Sequence, residues 1–229
     1  MFWYYDPTYL LLIPGLLLAL YAQYKVTSTF NHWKQAPSRT GLTGARIARM
    51  ILDANGCQDV RIEHVRGSLT DHYDPENGVL RLSDEVYASR SIAALGVAAH
   101  EAGHAIQDEK DYAPMRLRAN LVPLANIGSQ AATPLFMLGL LFSWEPLTKI
   151  GIFAFAFSVL FYLVTLPVEF NASSRAVTVL ASGFLPDDEV KGVKAVLSAA
   201  ALTYVAAALQ AVLQLVRLLL LANSRRRDD

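Results

Sequence analysis

A single cysteine, Cys57, stands in the whole chain, which excludes an intrachain disulfide and fits a reducing compartment. Neither sign of charge prevails, with 20 Lys and Arg against 20 Asp and Glu, and that balance gives no sign of nucleic-acid binding. The N-terminus, Met1-Phe2-Trp3-Tyr4-Tyr5-Asp6, contains no Lys or Arg. It lacks the basic region of a cleaved signal peptide and reads as the approach to an uncleaved anchor. Internal repeats, low-complexity tracts and Gly-rich phosphate loops are also absent, so repeat architectures and nucleotide-cradling loops drop out.

Apolar residues, by contrast, make up 53% of the chain and gather in runs. Pro7 to Tyr24 is apolar apart from Gln23, Leu121 to Phe142 and Ile150 to Val168 contain no Asp, Glu, Lys or Arg, and Ala195 to Leu221 has Arg217 as its only charge. Each run is near the roughly 20 residues that a helix needs to cross hydrocarbon, so four transmembrane helices are expected. Trp3, Tyr4, Tyr5 and Tyr9, with Tyr21 and Tyr24 at the other end of the first run, resemble interfacial aromatic belts. Twelve Lys or Arg fall between Lys25 and Arg118, none precedes the first run, and the connection Ser143 to Lys149 holds one. The positive-inside rule therefore places the large polar segment in the cytoplasm. Arg225-Arg226-Arg227 disagrees, because four crossings would leave it outside. Either that short tail tolerates the violation, or the last helix is partly buried or re-entrant.

The polar segment, residues 25–120, reads as a small α+β domain. Thr43 can cap a helix whose Ile47, Met50, Ile51 and Ala54 recur at helical spacing before Asn55-Gly56 ends it. A strand follows around Val60, Ile62 and His64, and then Ser68 to Tyr73 and Val79 to Ser83 flank the turn Asp74-Pro75-Glu76-Asn77-Gly78 as a hairpin. Next comes His100-Glu101-Ala102-Gly103-His104, in an apolar-periodic run from Ile92 to Gln107 whose helix is expected to begin near Ser91. Residues four apart on a helix lie one above the other, so His100 and His104 can face one divalent cation. Glu101 then suits a general base that does not ligate the metal. Ala98, Ala99, Ala102, Gly103 and Ala105 keep the surroundings small enough for other backbone to approach.

A catalytic zinc usually takes a third protein ligand and keeps one position open. The pattern with a third His six residues after the second fails, since position 110 is Lys110 and position 107 is Gln107 rather than Gly. His32, His64 and His72 precede the motif and stay open. Among carboxylates, Glu109, five residues after His104, points more than a third of a turn further round the helix, and Glu145 lies across a membrane about 30 Å thick. Glu169 ends the third run, so an outward and a returning span bring it back to the face of the motif. An interfacial acid held by Arg175 or Lys191 is the plainer alternative for it.

Three stretches resemble a known family: Asp71-His72-Tyr73-Asp74-Pro75, His100-Glu101-Ala102-Gly103-His104-Ala105-Ile106-Gln107, and Leu166-Pro167-Val168-Glu169-Phe170-Asn171-Ala172-Ser173. They are similar to the neutral zinc metallopeptidases of bacterial membranes, the YugP-like family, and nearly the whole chain is covered. A more distant resemblance is to the HtpX-type membrane metalloproteases, whose helical His-Glu-x-x-His is completed by a Glu at a membrane-proximal helix, matched here by Glu169. Those proteases commonly carry an Asp four residues after that Glu, where this chain has Ser173. The resemblance implies a zinc-dependent peptidase and says little about its substrate.

The expected protein is mainly α and integral to the bacterial cell membrane. It has about four transmembrane helices and a small α+β cytoplasmic, zincin-like metalloprotease domain. Its parts are an anchor at 7–24, the motif domain at 25–120, a transmembrane hairpin at 121–168, a cytoplasmic segment with the third ligand at 169–194, and a final helix with a basic tail at 195–229. It would hold one Zn2+ per chain through His100, His104 and Glu169, with Glu101 as base, and act on peptide or protein substrates associated with the lipid bilayer. An oligomer or a membrane partner protein stays open. Val79 to Ser83 reads as an edge strand to which an extended substrate could add, making Leu80 and Leu82 candidate contacts. His72 and Tyr73 are candidates for stabilising an oxyanion, although a satisfied surface pair is the plainer reading. Asn171 and Arg175 complete the candidate contacts. Asn126, Gln130 and Thr133 form a polar stripe expected to pack against other spans. Two other classes compete. A non-catalytic zinc-binding membrane scaffold would have no use for Glu101, and a channel or transporter would need ionisable residues that the runs lack.

Overall fold

The computed structural model describes residues 6–228, with side chains up to Ser224. Trp3, Tyr4 and Tyr5, and the side chains of Arg225, Arg226 and Arg227, lie outside the described residues. A turn of 3-10 helix, Pro7–Leu12, leads into α1 (Ile13–Lys34). Then follow α2 (Gly44–Ala54), β1 (Arg61–Val65), β2 (His72–Asp74), β3 (Val79–Ser83), α3 (Ile92–Glu109), α4 (Ala113–Leu141), α5 (Glu145–Val179) and α6 (Asp187–Asp228). Among the described residues, four helical stretches are long and apolar enough to cross a membrane: Pro7–Lys34, Ala113–Leu141, Glu145–Phe184 and Asp187–Ser224. They contain the four apolar runs save Phe142, one residue past the second stretch. Each stretch is longer than its run, because flanking polar residues, such as Lys25 to Lys34 after the first, also keep helical backbone.

The chain forms two compact units. Among the described residues one, the site unit, comprises Ala22–Arg116 and Pro167–Leu202; the other, the span unit, comprises residues 6–21, Leu117–Leu166 and residues 203–228. In the site unit, Thr43 caps α2 by accepting from the Arg46 N–H at 3.3 Å, and Ser91 caps α3 by accepting from the Ala94 N–H at 3.2 Å. Ile47, Ala48, Ile51 and Leu52 of α2 pack on Leu95, Ala98, Ala102 and Ile106 of α3, with Leu80 and Leu82 of β3 in the same core. Met50 falls outside it and is exposed. Of the 18 residues of α3, 14 are buried, so this helix is enclosed on nearly every side. Glu189, in the first turn of α6, accepts from Ser38 Oγ at 2.6 Å and Arg39 N at 2.9 Å, which ties the loop before α2 to α6.

The sheet has the order β1-β3-β2. The expected hairpin is present, with His72 opposite Arg81 and Asp74 opposite Val79. However, β1 pairs in parallel with the other side of β3, from Arg61 opposite Val79 to Val65 opposite Ser83. Val79 to Ser83 is therefore the central strand and not an edge. With Leu80 and Leu82 fully buried in the core, neither its backbone nor those side chains can receive a substrate strand.

In the span unit, α4 and α5 run antiparallel at close range. A Cβ on Gly128 would lie 2.4 Å from the Ala154 carbonyl oxygen, and one on Gly139 would lie 2.4 Å from the Thr148 nitrogen. Gly15 of the first span faces Gln210 and Leu213 of α6, and Arg217 donates to Asp6 at 2.7 Å and to Thr8 at 3.1 Å while lying over the Tyr9 ring. Over these residues the first span and α6 therefore run antiparallel. Buried in this way, Arg217 has an ion-pair partner, as a charge in a span requires.

Candidate metal centre

α3 presents His100 and His104 on one face, with their ring centroids 4.7 Å apart. Glu169 of α5 reaches both, its Oε2 lying 3.2 Å from His100 Nε2 and 3.6 Å from His104 Nε2. One ligand atom from each of the three lies within 4.8 Å of the others, and they form the one such cluster of three among the described residues. Gly103 makes this approach available, since a Cβ there would stand 2.9 Å from the Ala172 carbonyl oxygen. A side chain at position 103 would push α5 away and take Glu169 with it.

Each histidine is held from behind. Gln107, three residues beyond His104 and fully buried, donates through Nε2 to Val168 O at 2.8 Å and to Asn171 Oδ1 at 3.0 Å. Both of its N–H groups are thereby committed, so Oε1, 3.0 Å from His104 Nδ1, is an acceptor. His104 must carry its proton on Nδ1, which leaves the Nε2 lone pair facing the cluster. The chain continues outward, with Arg175 Nε donating to Asn171 Oδ1 at 2.7 Å. His100 Nδ1 meets Ser173 Oγ at 3.1 Å. Ser173, one turn beyond Glu169 on α5, is thus the side chain behind His100.

The electrostatics favour a cation. Burial opposes charging of His104, but Glu169 and Glu101 beside it hold its pKa above the ordinary histidine value. A metal ion would meet the same demand by displacing the proton. Two imidazole nitrogens and a carboxylate oxygen, each with a fixed orientation, are a donor set that zinc accepts with one position left open. Glu101 is buried beside them and is not among the three. Asp71 lies close enough to sense the Glu101 charge. Burial pushes its carboxyl above the usual range, although Ser83 donates to it from N at 2.7 Å and from Oγ at 2.9 Å.

A family model described as "Putative neutral zinc metallopeptidase" matches residues 8–223. The chain belongs to this family. It is also 49% identical over 220 residues to the "Putative membrane protease YugP" of Bacillus subtilis (strain 168), covering 96% of this chain and 98% of that one. No solved structure matches the chain.

The structure places the other residues considered for this zinc metallopeptidase site elsewhere. His32 packs against Trp33, His64 Nε2 meets Asp84 at 2.6 Å, and Glu145 pairs with Lys149 at 3.0 Å. His72 sits exposed on β2, its Nδ1 2.8 Å from Thr70 O and its Nε2 3.3 Å from Arg81. Tyr73 donates its hydroxyl to Asp108 at 2.8 Å, so that proton is committed. Asn171 and Arg175 do converge on the site, as the outer links of the chain behind His104. Sequence reasoning passed over Gln107 and Asp71. The available signal for Gln107 was an amide on the His104 side of a helix that is otherwise apolar there.

Proposed function

We propose that this chain is a membrane-held zinc endopeptidase that hydrolyses peptide bonds of membrane or membrane-proximal proteins at the cytoplasmic face. The observation that carries the reading is the convergence of His100, His104 and Glu169 with a further carboxylate, Glu101, beside them. His100 and His104 would hold one zinc ion through Nε2, and Glu169 through its carboxylate. When bound, zinc supplies Lewis acidity toward the scissile carbonyl and lowers the pKa of water toward about 7. Glu101 takes a proton from the attacking water on a carboxylate oxygen and delivers it to the leaving amine nitrogen. Gln107 and Ser173 keep the two imidazoles oriented throughout. The membrane placement draws on the four apolar helices and on the name of the Bacillus relative; the cytoplasmic face draws on the twelve Lys or Arg between Lys25 and Arg118.

Glu101→Gln tests the mechanism. It should keep near-stoichiometric zinc by metal analysis and lose chelator-sensitive cleavage of membrane proteins. Loss of zinc together with activity would make Glu101 a ligand or a structural group, unchanged cleavage would remove it from the mechanism, and a wild type that holds zinc but cleaves nothing would favour the scaffold. For orientation, Cys57 is 2% exposed and cannot report. A thiol at the exposed Asp59, in a Cys57→Ser background, should resist an impermeant reagent in intact cells, and labelling would overturn the cytoplasmic placement.

A further inference from the structure

The polar stripe of the second span faces outward, contrary to the packing expected of it. Asn126, Ser129, Gln130 and Thr133 are exposed along α4, whereas Ala125, Gly128, Ala132, Phe136 and Gly139 form its buried side. The side that could satisfy polar groups within the chain is thus taken by small residues against α5. Ser129 donates its hydroxyl to the Asn126 carbonyl at 3.1 Å, but the Asn126 and Gln130 amides have no hydrogen bond to any other described residue. Pro134 adds to the demand: without an N–H it leaves the Gln130 main-chain carbonyl lacking its usual donor four residues on. Hydrocarbon offers these groups nothing, and a polar group unsatisfied in lipid is costly.

We propose that this face is the interface between two copies of the chain, joined α4 to α4 about a two-fold axis along the membrane normal. A carboxamide both donates and accepts, so Asn126 and Gln130 are complementary to themselves. The two-fold brings each residue to the depth of its own copy, which puts amide opposite amide without any further adjustment. A substrate helix carries no such guarantee. Ser129 and Thr133, small and four apart, let the two backbones approach, and the exposed Val122 and Met137 flank them with apolar contact.

The test is energy transfer between donor- and acceptor-labelled full-length protein in phosphatidylcholine vesicles over a range of protein-to-lipid ratios. The wild type should form a reversible dimer. Asn126→Leu with Gln130→Leu should move the midpoint about tenfold or more toward higher density, with zinc content kept as the check on folding. Ile127→Ala, exposed but off the stripe, should leave the midpoint where it is. A wild type that stays monomeric at every density overturns the proposal, even if the stripe variant loses cleavage of a transmembrane substrate. So does a stripe variant whose midpoint is unchanged, or an Ile127 variant that shifts as far.

Discussion

Gly103 in the site unit and Gly128 in the span unit serve the same geometric purpose, with different results. Each lets a neighbouring helix bring a backbone carbonyl to where a side chain would otherwise be, Ala172 in one case and Ala154 in the other. At Gly103 the arriving helix carries Glu169 to two histidines, and Gln107, Asn171 and Ser173 fix the arrangement with hydrogen bonds. At Gly128 the close approach serves packing between α4 and α5, and the nearby polar groups Asn126 and Gln130 point away from the contact. Close helix approach is therefore not itself a sign of a site. What marks one is the set of polar side chains that the approach brings together and satisfies.

The largest effect should come from removing what the approach delivers. Glu169→Ala should lower zinc affinity by more than about 100-fold, beyond the usual range for groups that only support a ligand. Glu189→Ala should leave it intact, because Glu189 already serves Ser38 and Arg39. Chelator competition on the purified variants measures both, and loss of zinc from the Glu189 variant alone would move the ligand elsewhere.

Gly103→Val and Gly128→Val bear directly on the comparison. Both force apart a close contact, and overpacking of this kind costs about 1–3 kcal/mol of stability. Only Gly103→Val should also weaken zinc, since only there does the displaced helix carry a ligand. Equal zinc loss in the two would show that the site depends on helix packing in general. Gln107→Leu comes next, with zinc affinity expected to fall about 10–100-fold while the fold persists. An unchanged affinity would mean that Gln107 fills space and does not orient His104.

Much of this was legible in the sequence because local chemistry determined it. The cap Thr43, the helix start near Ser91, the turn from Asp74 to Gly78, the four apolar runs and the spacing of His100 and His104 all act within a few residues. Glu169 was legible through topology, as the carboxylate that a returning span brings back. The parallel pairing of β1 with β3 was not, since an alternating strand does not name its partner, and β3 therefore read as an edge. The support from Gln107 was hidden because its partners Val168 and Asn171 arrive on α5. The outward turn of Asn126 and Gln130 was hidden for a related reason. α4 carries a small-residue side and a polar side, and in lipid the small residues win the contact because they let backbones meet.

Ser173 gives the smallest expected effect and the finest test of how the two histidines differ. Gln107 can only accept from His104, because both of its N–H groups are engaged. Ser173 Oγ, 3.1 Å from His100 Nδ1, can either donate or accept. A donating hydroxyl would favour the tautomer with its proton on Nε2, the nitrogen that faces Glu169, so Ser173 enforces the metal-ready tautomer less strictly. Ser173→Ala should therefore weaken zinc binding only several-fold, below the range of about 10–100-fold expected for Gln107→Leu. Ser173→Asp supplies an acceptor that cannot donate when ionised, and should hold zinc at least as tightly as the wild type. If Ser173→Ala cost as much as Gln107→Leu, the two supports would be equivalent and the asymmetry between His100 and His104 would be wrong.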